Sequence, residues 1–114
     1  MIDCLFCKIA AGEIPSEKVF ENDRIYAFKD INPEAPFHVL IIPKVHIESV
    51  AAINIDNSYV VANIFEVAAI IAKENGYEES GYRIVTNIGK DGGQAVDHLH
   101  YHLLAGRRFA WPPG

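Results

Sequence analysis

The chain has 114 residues, half of them hydrophobic, with 10 Lys and Arg against 15 Asp and Glu and a formal charge of −5. That length suits one domain with room for an apolar core, and a single domain over residues 1–114 is expected. The acidic balance argues against a duplex nucleic-acid binder, which would carry a basic face. No apolar run approaches the roughly 18 residues of a membrane helix, so neither nucleic acid nor membrane is an expected partner.

Met1-Ile2-Asp3-Cys4 lacks the basic start and apolar core of a signal peptide, which makes a cytoplasmic setting the expectation. Asp3 is placed to cap a short helix over Cys4–Ala11, with Gly12 as its stop. Val19–Glu21 and Ile25–Lys29 read as strands around an Asn22-Asp23 turn. After a loop over Asp30–Pro36, His38–Ile42 reads as a strand ending at Pro43. Asn57–Asn75 is one long helical pattern, its stripe of Val60, Val61, Ile64, Phe65, Val67, Ala68, Ile71 and Ala72 facing a core and Gly76 beyond its end. Tyr82–Asn87 and Val96–Ala105 read as two further strands, joined by a glycine-rich loop from Ile88 to Gln94. The tail Phe109–Gly114 is expected to be irregular. Strands at both ends of the chain and a long helix between them predict an α+β fold. Its core is a five-stranded antiparallel sheet with one long and one short helix.

Three of the five histidines fall in His98-Leu99-His100-Tyr101-His102. On a strand, residues two apart share a face at intervals of roughly 6.5–7 Å, so the three imidazoles line up while Leu99, Tyr101 and Leu103 turn to the core. A phosphate suits such a face. One imidazole can attack phosphorus, a protonated neighbour can offset charge on the oxygens, and a third can fix the attacker's tautomer. Backbone N–H groups of the Gly89–Gly93 loop can approach the same anion. A solvated histidine-rich face and a metal held by all three rings are the alternatives. Cys4 and Cys7 are too close in sequence to staple the fold and read as a metal or redox pair.

The segment His98-Leu99-His100-Tyr101-His102-Leu103-Leu104 resembles the signature of the histidine triad (HIT) superfamily. The resemblance extends over Phe6, Gly12–Pro15, Phe28–Ile31, Ala35-Pro36, His38, Ile42–Lys44, Asn87, Asp91–Gln94, Gly106-Arg107 and Trp111–Gly114. The Asp-Gly-Gly-Gln and Trp-Pro-Pro-Gly runs are similar to its Hint branch, which implies cleavage of the P–N bond of purine nucleoside 5′-phosphoramidates or action on aminoacyl adenylates. The products would be nucleoside monophosphates. By position the resemblance makes His100 the nucleophile, His102 the phosphate contact, and His98 and His38 its supports. Asn87, Gly93 and Gln94 would belong to the phosphate shell, and Asp30 would hold the ribose. Phe6, Leu5, Ile9, Ile31 and Leu40 would wall a purine slot. The branch usually has Ser after the Gln, where this chain has Ala95, so one hydroxyl beside the phosphate is absent.

The resemblance further implies a homodimer with sheets joined across a two-fold axis and a tail, including Trp111, that reaches toward the partner's site. No organic cofactor is implied. Some bacterial members resemble this chain in setting such cysteines around zinc with two histidines, here Cys4, Cys7, His46 and His98; free thiols and a disulfide are the other readings. Two other functions stay open on the same scaffold: a dinucleotide polyphosphate hydrolase or nucleotidyl transferase, and a nucleotide-binding regulatory module.

Overall fold

Asn22 sets the first hairpin. Its side-chain oxygen accepts from the N–H groups of Arg24 and Ile25 at 2.9 and 2.8 Å, turning β1 (Lys18–Glu21) into β2 (Ile25–Lys29). The computed structural model describes residues 3–114, so the part of the signal-peptide reading that rests on Met1 and Ile2 lies outside it. Strand β3 (Phe37–Pro43) follows, then β4 (Tyr82–Val85) and β5 (Tyr101–Ala105). They form one sheet in the order β1-β2-β3-β5-β4, with every neighbouring pair antiparallel. The expected α+β architecture is present.

Each face of the sheet carries its own helix. Ile25, Ala27, Val39, Ile41, Tyr101 and Leu103 meet Val60, Ile64, Val67, Ala68 and Ile71 of α2 (Tyr59–Glu74). On the reverse face Tyr26, Phe28, Leu40 and Ile42 meet Phe6 and Ile9 of α1 (Leu5–Ala10). Strand β3 is therefore buried along its whole length, which is why Val39–Ile42 is a continuous apolar run rather than an alternation, with His38 the one polar side chain on the strand. The α2 stripe is core as expected, apart from Phe65, which is half exposed and packs edge-on against Tyr101. Among the described residues no helix is long and apolar enough to cross a membrane.

Four boundaries differ from expectation. Cys4, not Asp3, caps α1: its sulfur accepts the Cys7 N–H at 3.3 Å, while Asp3 pairs with Lys8 on the surface. Strand β4 ends at Val85 and β5 begins at Tyr101, five residues later than its pattern suggested. The backbone groups before Tyr101 bond elsewhere: Leu99 N–H reaches the Ile47 carbonyl, and the His100 carbonyl accepts the Thr86 hydroxyl at 2.8 Å. The glycine-rich loop contains a single helical turn, α3 (Gly89–Gly92), closed by Gly93 at φ +78°. A conformation with positive φ costs glycine little. The tail has no regular structure, as expected.

Candidate active site and metal cluster

In the β3–β5 register Leu40 stands opposite His102, and His38 opposite Leu104. This brings His38 and His102 together diagonally on the α1 face, with His38 Nε2 2.9 Å from His102 Nδ1. The proton between them can be assigned from their other partners. The Glu34 N–H donates to His38 Nδ1 at 3.0 Å, so that nitrogen is bare and the His38 proton sits on Nε2. His38 therefore donates to His102 Nδ1, and the proton of neutral His102 lies on its free Nε2. Burial holds His38 below the usual histidine range despite the carboxylates of Asp30 and Glu34. His102 is lowered to about 4, first by burial, then by His100 and His38. A protonated neighbour offsetting phosphate charge, one of the expectations, is thus not His102 near neutral pH; this ring offers a neutral N–H. Asp30 lies with its carboxylate 3.5 Å from His38 Nε2.

His100 is held differently. Its Nδ1 lies 2.8 Å from the His98 carbonyl. A carbonyl only accepts, so the proton is on Nδ1 and Nε2 keeps its lone pair. The Phe6 ring packs edge-on against His100 at 5.2 Å and against His98 at 6.1 Å. The rings of His100 and His102 are 5.2 Å apart. The expected common face is kept, although only His102 of the three lies on the strand itself. His98 fixes the tautomer of His100 through its carbonyl, not through its ring.

The His98 ring points away from this pair. Its Nε2 lies 2.9 Å from the Pro43 carbonyl and so carries the proton. Its Nδ1 faces the Cys4 and Cys7 sulfurs at 3.3 and 3.5 Å, and His46 Nδ1 is 3.4 Å from the Cys7 sulfur. The four donor atoms lie within 4.8 Å of one another. A tetrahedral zinc ion, with bonds of about 2.3 Å to sulfur and 2.0–2.1 Å to nitrogen, sets sulfur and nitrogen about 3.5 Å apart. The spacing and the donor set both fit, so the cluster can hold a metal. Burial and then Cys4 push the Cys7 thiol up to about 11; a bound cation would favour the thiolate instead. A metal held by the three strand histidines is not assembled, because His98 and His100 aim different nitrogens at different partners.

The remaining expected residues divide. Phe6, Ile9 and Leu40 are buried together beneath α1, whereas Leu5 and Ile31 are 47% and 91% exposed. Asn87 follows β4, and a Cβ placed on Gly92 would come into ordinary van der Waals contact with it. The Gln94 amide is committed to the loop: it accepts from Gly89 N–H at 3.0 Å and donates to the carbonyls of Glu48 and Val96 at 2.7 and 3.0 Å. Ala95 follows directly and brings no side-chain hydrogen-bonding group. Trp111 is 82% exposed, at the end of a tail that Arg83 holds through the Ala110 carbonyl and the Phe109 ring. Thr86 and the Glu34 N–H were not foreseen. Thr86 stands beside Asn87 with no pattern of its own, and a main-chain donor leaves no signature in sequence.

The family model described as "Scavenger mRNA decapping enzyme C-term binding" matches residues 3–108. A 14 kDa zinc-binding protein of Zea mays is 46% identical over 112 residues, covering 96% of this chain and 87% of that protein. A purine nucleoside phosphoramidase of Escherichia coli (strain K12) is 43% identical over 105 residues, covering 92% and 88%. Among solved structures, that of a HIT family hydrolase from Legionella pneumophila Philadelphia 1 superposes with a TM-score of 0.96 at 54% identity, covering 98% of this chain and all of that one.

Proposed function

The chain belongs to the histidine triad family, and from that membership we propose that this hydrolase cleaves the P–N bond of purine nucleoside 5′-phosphoramidates, or the mixed anhydride of aminoacyl adenylates, through a nucleotidyl-histidine intermediate. One observation carries the reading: His100 has its proton committed to a backbone carbonyl, which leaves Nε2 as a lone pair beside the neutral N–H of His102. His100 Nε2 attacks the α-phosphorus as the P–N bond breaks, and the departing amine takes a proton from solvent. His102 Nε2–H donates to a non-bridging oxygen as charge builds there. Water then attacks the same phosphorus and gives up a proton to solvent, the bond to His100 breaks, and nucleoside monophosphate is released. Backbone N–H groups around Gly93, with Asn87, complete the anion cradle; Asp30 takes the ribose hydroxyls; and Phe6, Leu5, Ile9, Ile31 and Leu40 form the base slot.

Cys4, Cys7, His46 and His98 would hold zinc. With all four positions filled by protein, the ion would supply a closed structural link between α1 and the histidine segment. Free thiols at Cys4 and Cys7 suit a reducing, cytoplasmic setting. A homodimer joined through β4 is part of the proposal, supported by the place of β4 at the sheet edge and the exposed Phe65 and Tyr82.

Mass spectrometry of protein quenched during turnover tests the mechanism. A nucleotidyl adduct mapping to His100 is expected, and His100→Ala should lose adduct and turnover while still binding AMP. Substantial phosphoramidase activity in that variant would falsify the nucleophile assignment.

A further inference from the structure

The metal cluster and the phosphate pocket are joined by two physical connections, and both run through main-chain groups. The first is His98, fully buried, with three separate commitments. Its Nδ1 faces the two sulfurs, its Nε2 proton goes to Pro43, and its carbonyl holds the His100 proton. Any turn of its ring toward or away from a bound ion strains the Pro43 bond and the peptide that orients His100. Phe6, between Cys4 and Cys7 in sequence, packs against both histidine rings and reinforces this connection.

The second connection starts at His46. Two residues on, the Glu48 carbonyl accepts from the Gln94 amide at 2.7 Å, and the same amide group takes the Gly89 N–H at 3.0 Å. Gln94 also exchanges backbone with that turn, its own N–H reaching the Gly89 carbonyl at 3.0 Å. The glycine turn proposed to face the anion is thus pinned to the segment that carries a metal ligand. Between the two segments, Leu99 N–H bonds the Ile47 carbonyl, so the His46 and His98 segments move together.

We propose that the Cys4, Cys7, His46 and His98 cluster is energetically coupled to the phosphate pocket, so that bound zinc and bound nucleoside monophosphate each strengthen the other. This rests on the proposal that the pocket takes a nucleoside monophosphate. Linkage makes the effect reciprocal: the factor by which zinc tightens AMP equals the factor by which AMP tightens zinc, and couplings of this kind commonly span roughly 5- to 150-fold. Gln94 is a positioning residue in this scheme; it acts on the phosphate through the loop.

Two titrations test it. AMP binding is measured calorimetrically on zinc-loaded and chelator-stripped protein, with circular dichroism reporting whether the stripped chain keeps its fold. Zinc affinity is measured by competition with a chromogenic chelator, with and without saturating AMP. Both constants should shift by the same factor, about tenfold within the range that linkage commonly shows. Equal AMP affinity in folded protein of both metal states, or zinc affinity indifferent to AMP, overturns the coupling and leaves the functional reading intact. Absence of AMP binding to loaded protein overturns both, and absence of zinc binding overturns the coupling. Gln94→Leu keeps every metal ligand and stays loaded, so it serves even where stripping unfolds the chain. Its zinc affinity without AMP should match the parent, and the tightening by AMP should shrink. Undiminished tightening removes Gln94 from the connection.

Discussion

The His38 relay makes the sharpest prediction, because two substitutions at one position should part company. His38 accepts from Glu34 N–H with Nδ1 and donates to His102 with Nε2, at 3.0 and 2.9 Å. Asn places its amide oxygen near the Nδ1 position, and Gln places its amide nitrogen near Nε2. His38→Asn should therefore keep the Glu34 contact but lose the donor, freeing the His102 proton to move to Nδ1 and leaving a bare nitrogen facing the phosphate. His38→Gln should keep a donor to His102 at the cost of Glu34. A hydrogen bond to a charged group contributes about 1.5–3 kcal/mol, and each 1.36 kcal/mol is tenfold in rate. The Asn variant should thus lose roughly 10- to 150-fold in kcat/KM, and the Gln variant should retain most of it. Steady-state release of AMP from adenosine 5′-phosphoramidate gives the rates, and nitrogen-15 spectra of the imidazoles report which His102 nitrogen is protonated. Equal rates in the two variants, or a bare His102 Nε2 in the parent, would refute the relay.

Three further outcomes follow from the same geometry. His102 is lowered to about 4 in the fold against about 6.5 unfolded, so the unfolded chain binds more protons between those values. The stability this group contributes is complete above about pH 6.5 and is lost as pH falls toward about 4, with His38 shifted in the same direction. Urea midpoints should drop across that window, and His102→Gln should flatten the drop; an unchanged slope counts against it. Ala95→Ser adds one hydroxyl beside the proposed phosphate site, a contribution of about 0.5–1.5 kcal/mol, and should raise kcat/KM or shift leaving-group preference; unchanged values for every amine tested would dispose of the idea. Deleting Phe109–Gly114 removes the ring stacked near Arg83 and Arg107. Substrate selectivity should change more than thermal stability, and identical selectivity would argue against a tail that docks near the site.

The sheet and the long helix were legible because burial writes itself into periodicity. The stripe on α2 and the apolar run Val39–Ile42 of β3 each record how many faces are covered. The histidine segment was legible for a subtler reason. Side chains at His98, His100 and His102 alternate as on a strand, yet only the last is laddered, because Leu99 N–H and the His100 carbonyl bond to Ile47 and Thr86. An extended backbone has the same spacing whether or not it is paired. The turn at Gly89–Gly92 was not legible, since glycine disfavours helix by about 1 kcal/mol per residue; it is closed by Gln94 from outside the turn. His46 has no local signal that separates it from a surface histidine. Only the chain's return past Pro43 brings it to the cysteines.

Chemistry separates three imidazoles that look alike in sequence, and it does so from main-chain groups, directly for His100 and through His38 for His102. A carbonyl at His98 forces the His100 proton onto Nδ1, and a backbone N–H at Glu34, relayed by His38, forces the His102 proton onto Nε2. The two nitrogens left free are therefore complementary, a lone pair on one ring and a donor on the next. That is the pairing an in-line attack on a phosphoryl group requires, with the nucleophile bare and the oxygens met by N–H. Because the relay begins and ends on main-chain groups, the assignment holds at pH values where His38 and His102 are neutral, above about 4 for His102. His98 joins the two systems, its carbonyl bonding His100 and its ring facing the cysteines. Substituting its side chain alone removes one donor from the candidate metal cluster and reaches His100 only through the peptide, so metal affinity should fall more than the His100 tautomer shifts.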